Sequence, residues 1–361
     1  MIYGNKFLPK KEESISMIEF GIESIAYNEY RNYKSLLESC TDDSSRPILE
    51  AQVTILREVS FKDIIERIKK AWKDFKEWIM GIFEKIFGKK EHLNKIAKES
   101  EAMAKEIQNK TNELKANKTI NEDELYKVKY INKINILSST KNKEKNTMET
   151  TNFDYQNIDE VVKYIKELVI NEQLELINNN QIRDIDAILS NNSGFSIDDY
   201  KKWSEEYEES AKLLEIAKVS YNIEYDEKEV DLYHMSSYAA DLTFDISKLN
   251  ACMISVDIAL GKIKNIYKET DKKLDTFFNQ NKVEMVNPIS DEKSDAREFQ
   301  LDEVARIKFK AIKEIMNYLQ SISKAFSLVS TNILVPMADE LHNQVTHLDS
   351  MFIKTTKLVL K

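Results

Sequence analysis

The sequence predicts an all-α protein, built of long amphipathic helices in an elongated helical bundle. Two observations carry this expectation. Apolar residues recur at steps of three and four along most of the chain, which is the period of one face of an α-helix. Only 6 Gly and 4 Pro occur among 361 residues, too few for the many tight turns that sheet proteins need. Strand content below about a tenth is expected on this periodicity. The hydrophobic share of 42% supplies a core, whereas the charged share of 32% suits long solvated helix faces.

Residues 1–56 form an N-terminal segment. Ile15, Ile18, Ile22 and Ile25 give a weak helix, and TDDSSRP, from Thr41 to Pro47, reads as an exposed polar break. Residues 57–137 combine an amphipathic helix with a polar helical hairpin. From Phe61 the pattern is strict: Ile64, Ile65, Ile68, Trp72, Phe75, Ile79, Ile82, Phe83 and Ile86 continue one stripe. Ser60 is its predicted N-cap with Asp63 as the reciprocal acid, and Gly88 its predicted stop. Leu93, Ile96, Met103, Ile107 and Leu114 give the hairpin a sparser apolar face, with its turn within Asn117–Leu125.

Residues 138–152, SSTKNKEKNTMETTN, carry almost no apolar content and are predicted to be a linker. Residues 153–361 are expected to form a C-terminal helical bundle. Asn157–Ile170 and Ser196–Val219 are amphipathic, the latter opened by a capping box of Ser196 and Asp199. Residues 231–280 support one long helix, with a break at Gly261 left open. A loop surrounds Pro288. A final helix runs from about Phe299 towards Lys361, kinked at Pro336. Ser220–Tyr233 fits either a short hairpin or a capped loop.

Several function classes are disfavoured. A net charge of -9 argues against specific nucleic-acid binding. Cys40 and Cys252 lie far apart and form no CxxC pair, which suits a reducing compartment. No apolar run is long enough for a transmembrane helix, and MIYGNKFLPKKEESIS lacks the apolar core of a signal peptide. There is no HExxH, GxSxG, P-loop or GxGxxG. His342 and His347 stand five apart, which turns them about 140° from one another on a helix. The acidic runs Glu205–Ser210 and Tyr225–Asp231 read as solvated helix faces. Tyr221, Tyr225, Tyr233 and Tyr238 read as core at helical spacing. No enzyme, cofactor, metal ligand or catalytic residue is expected.

The segment from Ser60 to Lys90 holds nine basic and five acidic residues, +4 within a chain of -9. Trp72, Phe75, Trp78, Ile79, Phe83 and Phe87 are its candidate contact residues. Three readings stand for them: packing within the protein or its oligomer, docking into a partner groove, or contact with a membrane interface, as in helical pore-forming toxins.

Two N-terminal tripeptides share one form. Leu36-Leu37-Glu38 precedes Ser39, and Ile48-Leu49-Glu50 precedes Ala51. Both resemble the Leu/Ile-x-Glu cleavage pattern of prohead proteases in T-even-like tailed phages. The amphipathic segment around Ile15–Ile25 is similar to the removable targeting segment of internal head proteins in that family. The layout resembles virion-associated proteins of large phages infecting AT-rich Gram-positive hosts. The resemblance implies Leu36, Glu38, Ser39, Ile48, Glu50 and Ala51 as processing residues. It implies a prohead protease as processing enzyme, other virion proteins or further copies of the chain as partners, and the capsid interior or host cytoplasm as location. A cytoplasmic helical adaptor is the remaining alternative.

Overall fold

The computed structural model describes residues 46–116, 125–142, 147–171, 216–284 and 318–359. It is not all-α. A three-stranded antiparallel sheet, of 17, 9 and 15 residues, stands among the long helices. The chain divides into two compact units: residues 1–80, 183–207 and 268–317 form one, and residues 81–182, 208–267 and 318–361 the other.

Helix α1 spans Arg46–Ala116. It begins earlier than the expected cap at Ser60, with Pro47 in its first turn, where the missing N–H costs nothing and the fixed φ already suits a helix. Gly88 does not stop it. A glycine inside a helix costs only about 1 kcal/mol, and the apolar steps resume beyond it. Ile86, Leu93, Ile96, Ile107 and Leu114 are buried on one face.

The predicted hairpin and linker are both overturned beyond Ala116. Strand β1 covers Tyr126–Asn142 and β2 covers Thr147–Tyr155. They pair antiparallel, from Ile134 opposite Tyr155 to Asn142 opposite Thr147. Most of the expected linker is therefore hydrogen-bonded strand. Its threonines, poor in hydrophobicity, are good strand formers, and Ser139 and Thr150 join hydroxyls across the ladder at 2.9 Å.

Helix α2, Ile158–Tyr164, is capped by Asn157, whose Oδ1 accepts from the Glu160 amide at 3.0 Å. Glu160 in turn accepts from the amide of Gln156, the residue before the cap, at 2.8 Å. A π-helical stretch, Ile165–Asn171, continues it.

Strand β3, Ile216–Val230, takes in most of the stretch from Ser220 to Tyr233 that the sequence left open, and pairs with β1 on the side away from β2. This register sets unlike charges opposite one another. Lys127, Lys129 and Lys133 of β1 stand opposite Glu229, Glu227 and Glu224 of β3, where like charges would be destabilising. Two register shifts interrupt the ladder, between Ile131 and Lys133 and between Ser139 and Thr140.

Helix α3, Leu232–Glu284, follows β3 after a single residue, Asp231, and passes Gly261 without a break. The Asp231 carboxylate accepts from the His234 amide and faces the His234 ring, both at 2.9 Å. Burial pushes this carboxyl up, but the His234 hydrogen bonds and charge win and leave it below its ordinary value.

The third long helix includes residues 318–329, a π turn at Ser330–Leu334, and α4, Val335–Val359. The π turn answers Pro336. Proline offers no N–H to the carbonyl four residues back, and its ring crowds that turn. The wider turn makes room, with the Val335 amide reaching back to Ser330 O. Asn332 of the same turn donates to Val219 O on β3 at 3.2 Å.

In the second unit, α1 and α3 run antiparallel. Lys115 lies over the Tyr233 ring, Thr243 donates to Ser100 O, Asn250 to Asn94, and Lys90 to Asp257. α4 runs parallel to α1: His92 meets Asp339, Ser100 meets His342, and Thr346 meets Met103. Leu93, Leu249, Leu341 and Phe352 are among the buried residues these three helices supply.

Replacing Asp231 by alanine should lower stability by about 1 kcal/mol through loss of the α3 cap. Because the carboxyl is held below its ordinary value, its contribution is present above pH 3.8 and fades as pH falls through the folded value. Chemical denaturation of both proteins across acidic pH checks this: their difference should shrink towards the acid end.

Candidate interaction surface

The aromatic stripe of α1 meets several fates. Trp72, Phe75 and Ile79 are buried, at 4%, 3% and 0% exposure. In the first unit the Trp72 indole N–H donates to Asp271 Oδ1 of α3 at 2.7 Å, and the Lys76 ammonium pairs with the same carboxylate. The Trp72 and Phe75 rings lie 5.3 Å apart, and Phe75 stacks with half-buried Trp78 at 6.5 Å. An indole buried beside other rings and tied by its N–H to a carboxylate is a packing arrangement. Further along, Phe83 is half-buried with Lys264 of α3 over its ring, whereas Phe87 is 52% exposed. The residues predicted as one contact surface thus divide into packed and open members.

The candidate processing residues are placed in part. Leu36, Glu38 and Ser39 lie outside the described residues, as do Cys40 and the acidic run at 205–210. Ile48, Glu50 and Ala51 fall in the first turns of α1. The polar break expected through Pro47 ends sooner: Arg46 already opens the helix, so a protease reading an extended chain must first unwind that end.

Several strongly raised phenols sit where sheet meets helices. Tyr221 and Tyr225, four apart, share one face of β3 because strand side chains alternate. A spacing of four suits a helix and serves a strand equally. Both phenols donate to one carboxylate, Glu340 of α4, at 2.9 and 2.6 Å. Burial first, and then this hydrogen bond, hold both phenols well above their ordinary value of 10. Tyr238 is likewise pushed up by burial, its ring 4.0 Å from that of Tyr130. At the β2 edge of the sheet, Tyr164 of α2 lies 4.9 Å from Phe153 and 5.6 Å from Tyr155, whose phenol burial raises to about 12.

Protonated, hydrogen-bonded phenols and a carboxylate with two donors hold elements together; they present no exposed nucleophile. The Cys252 thiol is buried and pushed up to about 12, so it stays a thiol. His342 bonds Ser100 at 2.8 Å while His347 is exposed, so the two do not converge. Among the described residues no group of three or more His, Cys, Asp or Glu side chains is placed to hold a metal. Nor, among them, is any helix long and apolar enough to cross a membrane.

Sequence reasoning missed one feature. Phe244, Ile254 and Ile258 of α3 are exposed at 64%, 38% and 58%. Their three-and-four steps have the same period as those of the core face of the same helix. The signal was present: a helix apolar on two faces needs cover on both.

No family model, curated protein or solved structure matches the chain.

Alanine at Trp72 or Phe75 should cost about 3–5 kcal/mol each, as for buried aromatics elsewhere, whereas Phe87→Ala should stay within about 0.5 kcal/mol. Thermal unfolding checks this. Unchanged melting with lost liposome binding would return the stripe to the membrane. The raised phenols give a second expectation. A proton held more tightly by the folded state stabilises it fully below pH 10 and is lost as pH rises through and beyond that value. Unfolding free energy should fall above pH 10, and Tyr221→Phe with Tyr225→Phe should flatten the fall.

Proposed function

We propose that the chain is a non-enzymatic structural protein of a tailed-phage particle, carried inside the head or built into it. The observation that carries the structural reading is where its reactive side chains go. Glu340 receives two phenols, His92 meets Asp339, His342 meets Ser100, and Asp231 caps α3. Side chains of the types that enzymes use for acid–base work here join one element to another. The phage assignment rests on the two aliphatic-x-Glu tripeptides ending at Glu38 and Glu50. The second lies at the N-terminal end of α1. Terminal helical turns lack their full set of hydrogen bonds and open most readily, so a cut before Ala51 would leave the remainder of α1 intact. The membrane-active alternative draws less support, because Trp72, Phe75 and Ile79 are covered by protein.

Mass spectrometry of purified particles tests the proposal. The protein should be present, beginning at Ala51, or at Ser39 if the first site is used. Glu50→Gln should block the cut before Ala51. Particles containing only chains that start at Met1 would remove the processing step, and absence from particles would remove the proposal.

A further inference from the structure

Helix α3 carries two apolar seams with the same repeat. The inner one steps by four and three from Met235 through Ala239, Leu242, Ile246 and Leu249 to Met253 and beyond, and is buried. The outer one steps identically and is open to solvent. Phe244, Ser247, Ala251, Ile254, Ile258 and Gly261 are all exposed, and a Cβ added at Gly261 would meet nothing within 4 Å. A strict average of 3.5 residues keeps a seam facing one partner along a supercoiled helix. The inner seam has its partners in α1 and α4; the outer seam has the same repeat and none among the described residues.

We infer that the outer seam is covered by the same seam of a second copy of this chain, the two α3 helices antiparallel about a two-fold axis at the level of Cys252 and Met253. Three features select this occupant. In that register the seam is complementary in size to itself: Phe244 stands opposite Gly261, Ile258 opposite Ser247, and Ile254 opposite Ala251. Each large side chain finds a small one, which is how facing layers interdigitate without voids. The flanks are complementary in charge, because exposed Asp241 at one end comes level with exposed Lys262 at the other. A parallel arrangement would set Phe244 against Phe244 and Asp241 against Asp241. Finally, a two-fold contact uses one patch on both copies, so self-complementarity is what such a contact requires. Lys248 does not obstruct it: its ammonium is held by Asp159 and Asp245 and lies 4.4 Å from the Phe244 ring centre. Phe87 widens the apolar strip, since it stands on α1 between Phe83, which meets Lys264, and Lys90, which meets Asp257.

This inference stands whether or not the chain is packaged in a particle, and its test does not use particles. Sedimentation equilibrium of the full chain should show a dimer at micromolar concentration. Ile258→Glu and Phe244→Glu, at exposed positions, should each weaken it by about thirtyfold or more while leaving helix content and the melting of the monomer unchanged. Asp241→Lys should weaken the dimer, and adding Lys262→Asp should restore it. A monomeric wild-type chain would overturn the inference. So would a dimer indifferent to Ile258→Glu and Phe244→Glu, which would place the contact elsewhere. A charge reversal that the second reversal fails to rescue would overturn the antiparallel register.

Discussion

The level at which α1 passes α3 decides where nearly everything else in the second unit stands, and polar side chains fix that level. Apolar seams repeat every three or four residues, so sliding one helix by a heptad trades one good apolar match for another. Lys90 with Asp257, Asn94 with Asn250 and Ser100 O with Thr243 do not survive such a slide. Pairs of this exposure contribute little stability, about 0–1 kcal/mol for an ion pair. Their value is specificity, as with polar groups that set register in coiled coils. Once α3 is placed, Asp231 places β3, and β3 places Glu340 and the helix that bears it.

How much of this was legible follows from which signals are local. Helices α1 and α3 were visible because their apolar residues repeat over many turns. Their ends were not: Ser60 and Gly88 look like caps, but a long buried face outweighs one favourable cap or one glycine. The strands were missed for a different reason. Tyr126, Val128, Tyr130, Ile134 and Ile136 alternate as a strand should, yet lysine and asparagine between them lower the apparent hydrophobicity. The partner that rewards this alternation, β3, begins only at Ile216. Among the candidate contact residues, Trp72 and Phe75 carried the right chemistry. That one is anchored by Asp271, almost two hundred positions away, was written nowhere near it.

The phenol pair on Glu340 shows how a small sheet is held on a helical bundle. A carboxylate at a sheet–helix boundary is costly unless its lone pairs are taken. Two phenols from one face of β3 take them. The cost then falls on removal: without Glu340, two half-buried hydroxyls lose their acceptor together, which is worse than never having had it. The contact is therefore stricter about identity than its exposure suggests.

The pairing of basic β1 with acidic β3 has a consequence during synthesis. Chains emerge N-terminus first at roughly 5–20 residues per second, so β1 and β2 leave the ribosome seconds before β3 exists. Throughout that interval the β3-facing edge of β1 is an unpaired template, and neighbouring nascent chains on one message present the same edge. Lys127 and Lys129 repel another β1, as lysines on edge strands do, and they stand opposite glutamates of β3 when it arrives. One row of charges thus turns away the wrong strand first and admits the right one afterwards.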